Sequence, residues 1–129
     1  MTLACTTSKS LVNEEFFNVI WELEYLSGPK IPFEKLFEQR RPQITFNNSS
    51  KMVEGNSGCN GYRASYNIVG QQISFGEPGP TTRMYCGEGE SFFLNIIQKI
   101  DHYEFDNEGK LNLVTDDVPL MRFKKVTRS

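Results

Sequence analysis

The sequence predicts a mainly β domain, an antiparallel meander curved into a cracked β-barrel, with one α-helix set before its last three strands. Three observations carry this prediction. Short runs of alternating apolar and polar residues recur along the chain, and clusters of Gly, Pro, Asn and Ser separate them. Only Glu90 to Ile100 has the period of about 3.6 residues that marks an amphipathic helix. Most strands follow one another with no helix between them, which excludes a parallel βαβ sheet; a curved sheet that closes on itself removes exposed strand edges.

Met1 to Asn13 has no periodic pattern and is expected to be a disordered tether, leaving 14–129 as one domain. Asn18 to Leu26 then places Val19, Trp21, Leu23 and Tyr25 at alternating positions, the signature of a half-buried strand, and stops at the turn Ser27-Gly28-Pro29. From Ile31 to Arg41, Phe33, Leu36 and Phe37 sit at helical spacing, but Pro32 and Pro42 bracket them. A long connection with at most one helical turn is expected there. Gln43 to Phe46 and Lys51 to Asn56 flank the polar hairpin Asn47-Asn48-Ser49-Ser50. After Ser57-Gly58-Cys59-Asn60-Gly61, alternation resumes through Tyr62, Ala64, Tyr66 and Ile68, and Gly70 turns the chain into Gln72 to Phe75. A Gly/Pro loop, Gly76 to Pro80, leads toward the helix.

Phe92, Phe93, Ile96, Ile97 and Ile100 share one helical face. Glu88 and Glu90 lie at its start and Lys99 near its end, as the helix dipole favours. Tyr103 to Phe105, the turn Asp106-Asn107-Glu108-Gly109 and Leu111 to Val114 form a hairpin. Leu120 to Lys124, with Met121 and Phe123 on one face, closes the chain.

Composition narrows the function. Apolar residues make up only 38% of the 129, but 10 Phe, 5 Tyr and 1 Trp bring enough bulk for a single core. The formal net charge of −2 leaves no basic excess to hold phosphates, so nucleic-acid binding is disfavoured. No apolar run is long enough to span a membrane. Three separated cysteines (Cys5, Cys59, Cys86) and the single histidine, His102, offer too few ligands for a closed zinc shell, and no metal or organic cofactor is expected. Any general base would have to be His102 or a carboxylate.

Two stretches stand out. In Ser57-Gly58-Cys59-Asn60-Gly61 the glycines permit positive φ or close approach of another segment. Cys59 could be a nucleophile there, but nothing in the sequence lowers its pKa, and a sharp bend with Cys59 buried or bridged is the plainer reading. In Thr81-Thr82-Arg83-Met84-Tyr85-Cys86, Arg83 either pins carbonyls or a carboxylate or lies on the surface. The adjacent pairs Glu14-Glu15 and Asp116-Asp117 would point to opposite faces of a strand and are expected to be solvated. His102 is expected half-exposed on a strand, and the Asn47 to Ser50 hairpin contains glycosylation sequons. The start, Met1-Thr2-Leu3-Ala4-Cys5-Thr6, is like the end of a bacterial lipoprotein signal, with Cys5 as the lipidation candidate; the alternative is an exposed tail with a chance cysteine.

Taken in order, Trp21-Glu22-Leu23, Ile44-Thr45-Phe46, Gly58-Cys59-Asn60-Gly61-Tyr62, Ile73-Ser74-Phe75, Thr82-Arg83-Met84-Tyr85-Cys86, the Phe/Ile helix and Leu120-Met121-Arg122-Phe123 form a series that resembles the META domain, the HslJ-like family of small bacterial envelope proteins. The likeness runs from about Val19 to Lys124, and the stretch from Pro32 to Pro42 is longer than the loop such domains usually show. The resemblance implies a lipocalin-like barrel with one helix. It makes Gly58, Cys59, Asn60, Gly61, Thr82, Arg83, Met84 and Cys86 a family signature. Members are often lipoproteins linked to heat shock or envelope stress, with no established enzymatic activity, which supports Cys5 as a lipid site.

Two functions of different class follow. One is a non-catalytic, monomeric envelope protein, lipid-anchored and facing the periplasm or the outside, that contacts another envelope protein under stress. The other is a barrel that binds a small hydrophobic ligand or acyl chain. Whether the interior is filled separates them, and aromatic residues at strand positions favour filling. An enzyme using Cys59 is a distant third. Each signature block sits at a strand end beside a glycine, and a meander brings the second block back to the first. Cys59 and Cys86 are therefore expected to be neighbours, either bonded in an oxidising compartment or buried as free thiols. A separation well beyond roughly 4.4–6.8 Å between their Cα atoms would exclude the bond.

Overall fold

The computed structural model describes residues 16–79 and 84–126. The expected tether before Asn13, with Cys5, lies outside these residues, as do Glu14, Glu15, Thr81, Thr82 and Arg83. Eight strands follow one another around a closed antiparallel barrel: β1 (Trp21–Leu26), β2 (Gln43–Asn47), β3 (Met52–Asn56), β4 (Gly61–Val69), β5 (Gln72–Phe75), β6 (His102–Phe105), β7 (Leu111–Thr115) and β8 (Val118–Lys125). The expected crack is closed, because β8 returns to pair with β1 from Trp21↔Lys125 to Leu26↔Met121. The thinnest seam is where the helix interrupts the meander. There β5 and β6 share one register pair, Gln72↔His102, held by Ile73 N–H to Asp101 O and Tyr103 N–H to Gln71 O.

The connection between β1 and β2 contains the single helical turn α1 (Phe33–Leu36), as its two prolines require. The longer helix, α2 (Gly89–Ile97), is shorter than the Glu90 to Ile100 pattern. Its chain tightens at the end into turns in which Lys99 and Ile100 donate to Ile96 and Ile97. Ile100 is buried by that turn rather than by another helical one, so the apolar period outlasts the helix.

β1 departs from simple alternation at both ends. Asn18 has φ +63 and breaks the extended backbone, so the strand begins at Trp21. A bulge between Leu23 and Tyr25 then inserts one residue against β8. An extra residue flips the faces that follow, so Tyr25 points outward at 39% exposure and Leu26 inward.

Leu23, Ile44, Phe46, Val53, Leu111, Leu113, Met121 and Phe123 are all at 0% exposure and pack the interior. An eight-stranded barrel is just wide enough to be filled this way. Its two ends are stopped differently. Where β1 begins, Phe16 inserts its ring 4.2 Å from Phe46 and 5.1 Å from Tyr103, while Trp21 Nε1 donates to the Phe16 carbonyl at 3.1 Å. Where β1 ends, α2 lies across the opening with Phe93 edge-on to Tyr62 at 5.6 Å.

Candidate functional site

The two signature blocks meet at the α2 end of the barrel. The turn from β3 to β4 is closed by Ser57 N–H to the Asn60 carbonyl, and the Asn56 side chain accepts the Gly58 N–H at 2.8 Å. Gly58 has φ +115, and a Cβ there would stand 2.8 Å from the Phe37 ring. Both conditions demand glycine. The turn projects Cys59 toward the segment before α2, where its sulfur is joined to that of Cys86 with the Cα atoms 6.0 Å apart. That separation lies inside the window expected of neighbouring cysteines.

Asn60 is the centre of the arrangement. Its Oδ1 accepts the Met84 N–H and its Nδ2 donates to the Met84 carbonyl, both at 2.9 Å, so the amide pairs with Met84 as a neighbouring strand would. The same Nδ2 donates to Glu90 Oε2 at 2.8 Å, and the Asn60 N–H donates to Glu90 Oε1 at 2.9 Å. Ser57 Oγ adds a third donor to that carboxylate, at 2.7 Å. Asn60 is 6% exposed and Ser57 2%, so these bonds form away from bulk water and are worth more than surface ones. Glu90 stands in the first turn of α2, where the helix favours a negative charge.

Gly89 lets α2 approach. A Cβ there would overlap the Leu36 carbonyl oxygen and stand 2.7 Å from the Phe37 ring. The Phe37 ring is thus enclosed between Gly58 and Gly89, and the long connection after β1 becomes part of the lock. Met84 and Tyr85 lie on its solvent side at 59% and 83% exposure.

Of the signature residues, Gly58, Cys59, Asn60, Met84 and Cys86 are brought together, and Gly61 opens β4 opposite Asn56. The sequence marked Glu90 only as a charge suited to a helix start, Ser57 only as part of the Gly58-Cys59 stretch, and Phe37 only through its helical spacing with Phe33; it assigned none of them to the site. Gly58, read from the sequence as open to close approach, and Gly89 before Glu90 were the available signals of close packing. His102 belongs to a separate cluster: its Nδ1 contacts Asp101, its Nε2 is 3.9 Å from Asp117, and it is half-buried at the start of β6. Asp116 and Asp117 form the β7–β8 turn, both with positive φ, rather than lying on a strand.

Chemically the site is a lock whose polar groups satisfy one another. Ser57 is closed off from solvent, and the two thiols are consumed in a bond.

The family model of the META domain matches residues 14–127. No curated protein matches the sequence. A solved structure described as the NMR structure of a protein from Burkholderia xenovorans is similar at 26% identity and a TM-score of 0.67, covering 93% of this chain and 89% of that one. The matched span takes in all eight strands, both helices and both halves of the lock, and the chain belongs to the META domain family.

Proposed function

We propose that this protein is a non-catalytic, exported component of the bacterial cell envelope, anchored by a lipid on Cys5, that acts through its outer surface on another envelope protein under stress. The observation that carries this reading is the filled interior. Barrels of this size hold a small ligand only where side chains leave room, and here Leu23, Phe46, Met121 and Phe123 meet at 0% exposure while Phe16 and α2 stop the ends. A partner would then be met on the outside. The lipoprotein-like residues around Cys5 and the META signature support the envelope placement.

Two measurements test it. Metabolic labelling of the full-length precursor with a fatty acid should be lost on Cys5→Ala, and label that survives removes the anchor. Titration with a fluorescent fatty acid should show no saturable binding. One-to-one binding in the micromolar range would move the function to the barrel interior.

A further inference from the structure

We propose that the Cys59–Cys86 disulfide is a reversible thiol–disulfide exchange site, attacked by a dithiol at Cys86 and releasing Cys59. This goes beyond the proposed surface role and does not depend on it. Both cysteine residues are half-buried, unlike the closed core beneath them.

The two flanks of the bond differ. On the Cys59 side, a Cβ at Gly58 would meet Phe37 at 2.8 and 3.0 Å and Pro42 at 3.9 Å, so the chain there is walled in. On the Cys86 side, a Cβ at Gly87 would meet no heavy atom within 4 Å among the described residues, its chain neighbours aside. Next to it Tyr85 is 83% exposed. Thiolate attack needs access to one sulfur in line with the bond that breaks, and the open flank gives that access at Cys86.

The surroundings also make the bond dispensable to the shape of the site. Asn60 holds Met84 by two hydrogen bonds and Glu90 by two more, so both segments stay in place when the sulfurs part. The freed thiols would remain on Cα atoms 6.0 Å apart, ready to re-form the bond.

The chemistry balances with a dithiol as the reductant. One of its thiolates attacks Cys86 Sγ, the Cys59–Cys86 bond breaks, and the electron pair leaves on Cys59 Sγ, which takes a proton. The second thiol of the reductant, as thiolate, then attacks its own sulfur in the mixed disulfide and releases Cys86 as a thiolate. The reductant ends as a disulfide and the protein as a dithiol; the reverse sequence reoxidises it.

The test uses the full chain with Cys5→Ser, so that only the two site cysteines react. In that background Cys59→Ser leaves the Cys86 thiol and Cys86→Ser leaves the Cys59 thiol. Each is reacted with the aromatic disulfide DTNB, and the rates are compared per thiolate. Cys86 should react at least tenfold faster; a smaller ratio, or the reverse, overturns the assigned direction of attack. Separately, the Cys5→Ser protein is reduced with dithiothreitol and its amide exchange followed. The Met84 amide should keep its protection within tenfold of the oxidised protein, and oxidised dithiothreitol should restore the bond. A larger loss of protection would make the bond a structural staple, and failure of the bond to re-form would remove reversibility; either result overturns the proposal.

Discussion

Asn60 does in one side chain what would otherwise need a strand. Its amide reads the backbone of Met84 in both directions and still reaches Glu90. Asn60→Asp keeps the shape but removes both Nδ2 donations and sets a second carboxylate where Glu90 Oε2 lies 2.8 Å away. The loss should be about 3 kcal/mol or more at neutral pH, because two like charges and an unpaired carbonyl are then held away from water. Urea unfolding at pH 7 measures it, and a midpoint within error of the parent would show that the amide is incidental. Tyr62 presents the opposite case. Its ring packs against Phe93, but its hydroxyl is buried without a hydrogen-bond partner among the described residues, and burial pushes the phenol's pKa well up. Tyr62→Phe removes the orphaned group and keeps the ring. Stability should rise by about 1 kcal/mol in the same assay, since an unsatisfied buried hydroxyl costs on that order.

Two elements carry predictions that local propensity would get wrong or miss. In α2, Gly89 is helical and unremarkable by φ, so Gly89→Ala should add about 1 kcal/mol from helix propensity alone. The clash of its Cβ with the Leu36 carbonyl and the Phe37 ring dominates instead. We expect a net loss of about 2 kcal/mol, read as a drop in thermal midpoint, because backbone cannot yield as a flexible side chain would. On the outer face of β1 and β8, Glu24 accepts from Arg122 at 2.7 Å and from Lys110 at 2.9 Å. Burial by itself pushes the Glu24 carboxyl up, but the hydrogen bonds from Arg122 and Lys110 and their charges outweigh it and hold the pKa below the ordinary value. A carboxyl lowered on folding gives stability that is present above its unfolded pKa of about 4.3 and is lost as the pH falls through the folded value. Glu24→Gln should therefore reduce stability at pH 7 and flatten its decline between about pH 5 and about pH 3. Denaturant midpoints across that range check the sign, and an unchanged slope would mean that other carboxylates carry the acid response.

The whole molecule is a tube without edges, stopped at both ends. Closure between β1 and β8 pairs strands almost a hundred positions apart, and Arg122 Nε to Glu24 ties the same two strands on the outside. Phe16, at 1% exposure, is the stopper at the end where β1 begins, touching Phe46, Tyr103 and Phe105. Phe16→Ala should cost about 3–5 kcal/mol, as for other large aromatic side chains removed from a core. It should also let water reach Trp21, whose indole N–H is bonded to the Phe16 carbonyl. A red shift of tryptophan emission in the folded protein is the specific readout. Loss of stability with no shift would mean that the barrel end collapses onto the gap.

The sequence by itself determined the class of fold and the order of its elements. Alternation of side chains is a local property of an extended chain, and it marked β4, β5 and β8 within a residue or two of their ends. Turn chemistry is local as well, so the Asn47 to Ser50 hairpin, in which Asn47 Oδ1 accepts from Ser49 and Ser50, was legible in its residues. The meeting of the signature blocks followed from their places at strand ends, because a meander brings the second block back to the first. What lay beyond sequence were features that exist only when distant segments press together. The bulge that turns Tyr25 outward is set by the register of β8, the early end of α2 by the need to bury Ile100 and enter β6, and the plug at Phe16 by rings from β2 and β6. Glu90 shows the difference most clearly: its charge suited a helix start on any reading, but three of its donors come from a turn about thirty positions earlier. Packing alone chooses such a partner, because a carboxylate taken out of water must find donors wherever the fold has placed them.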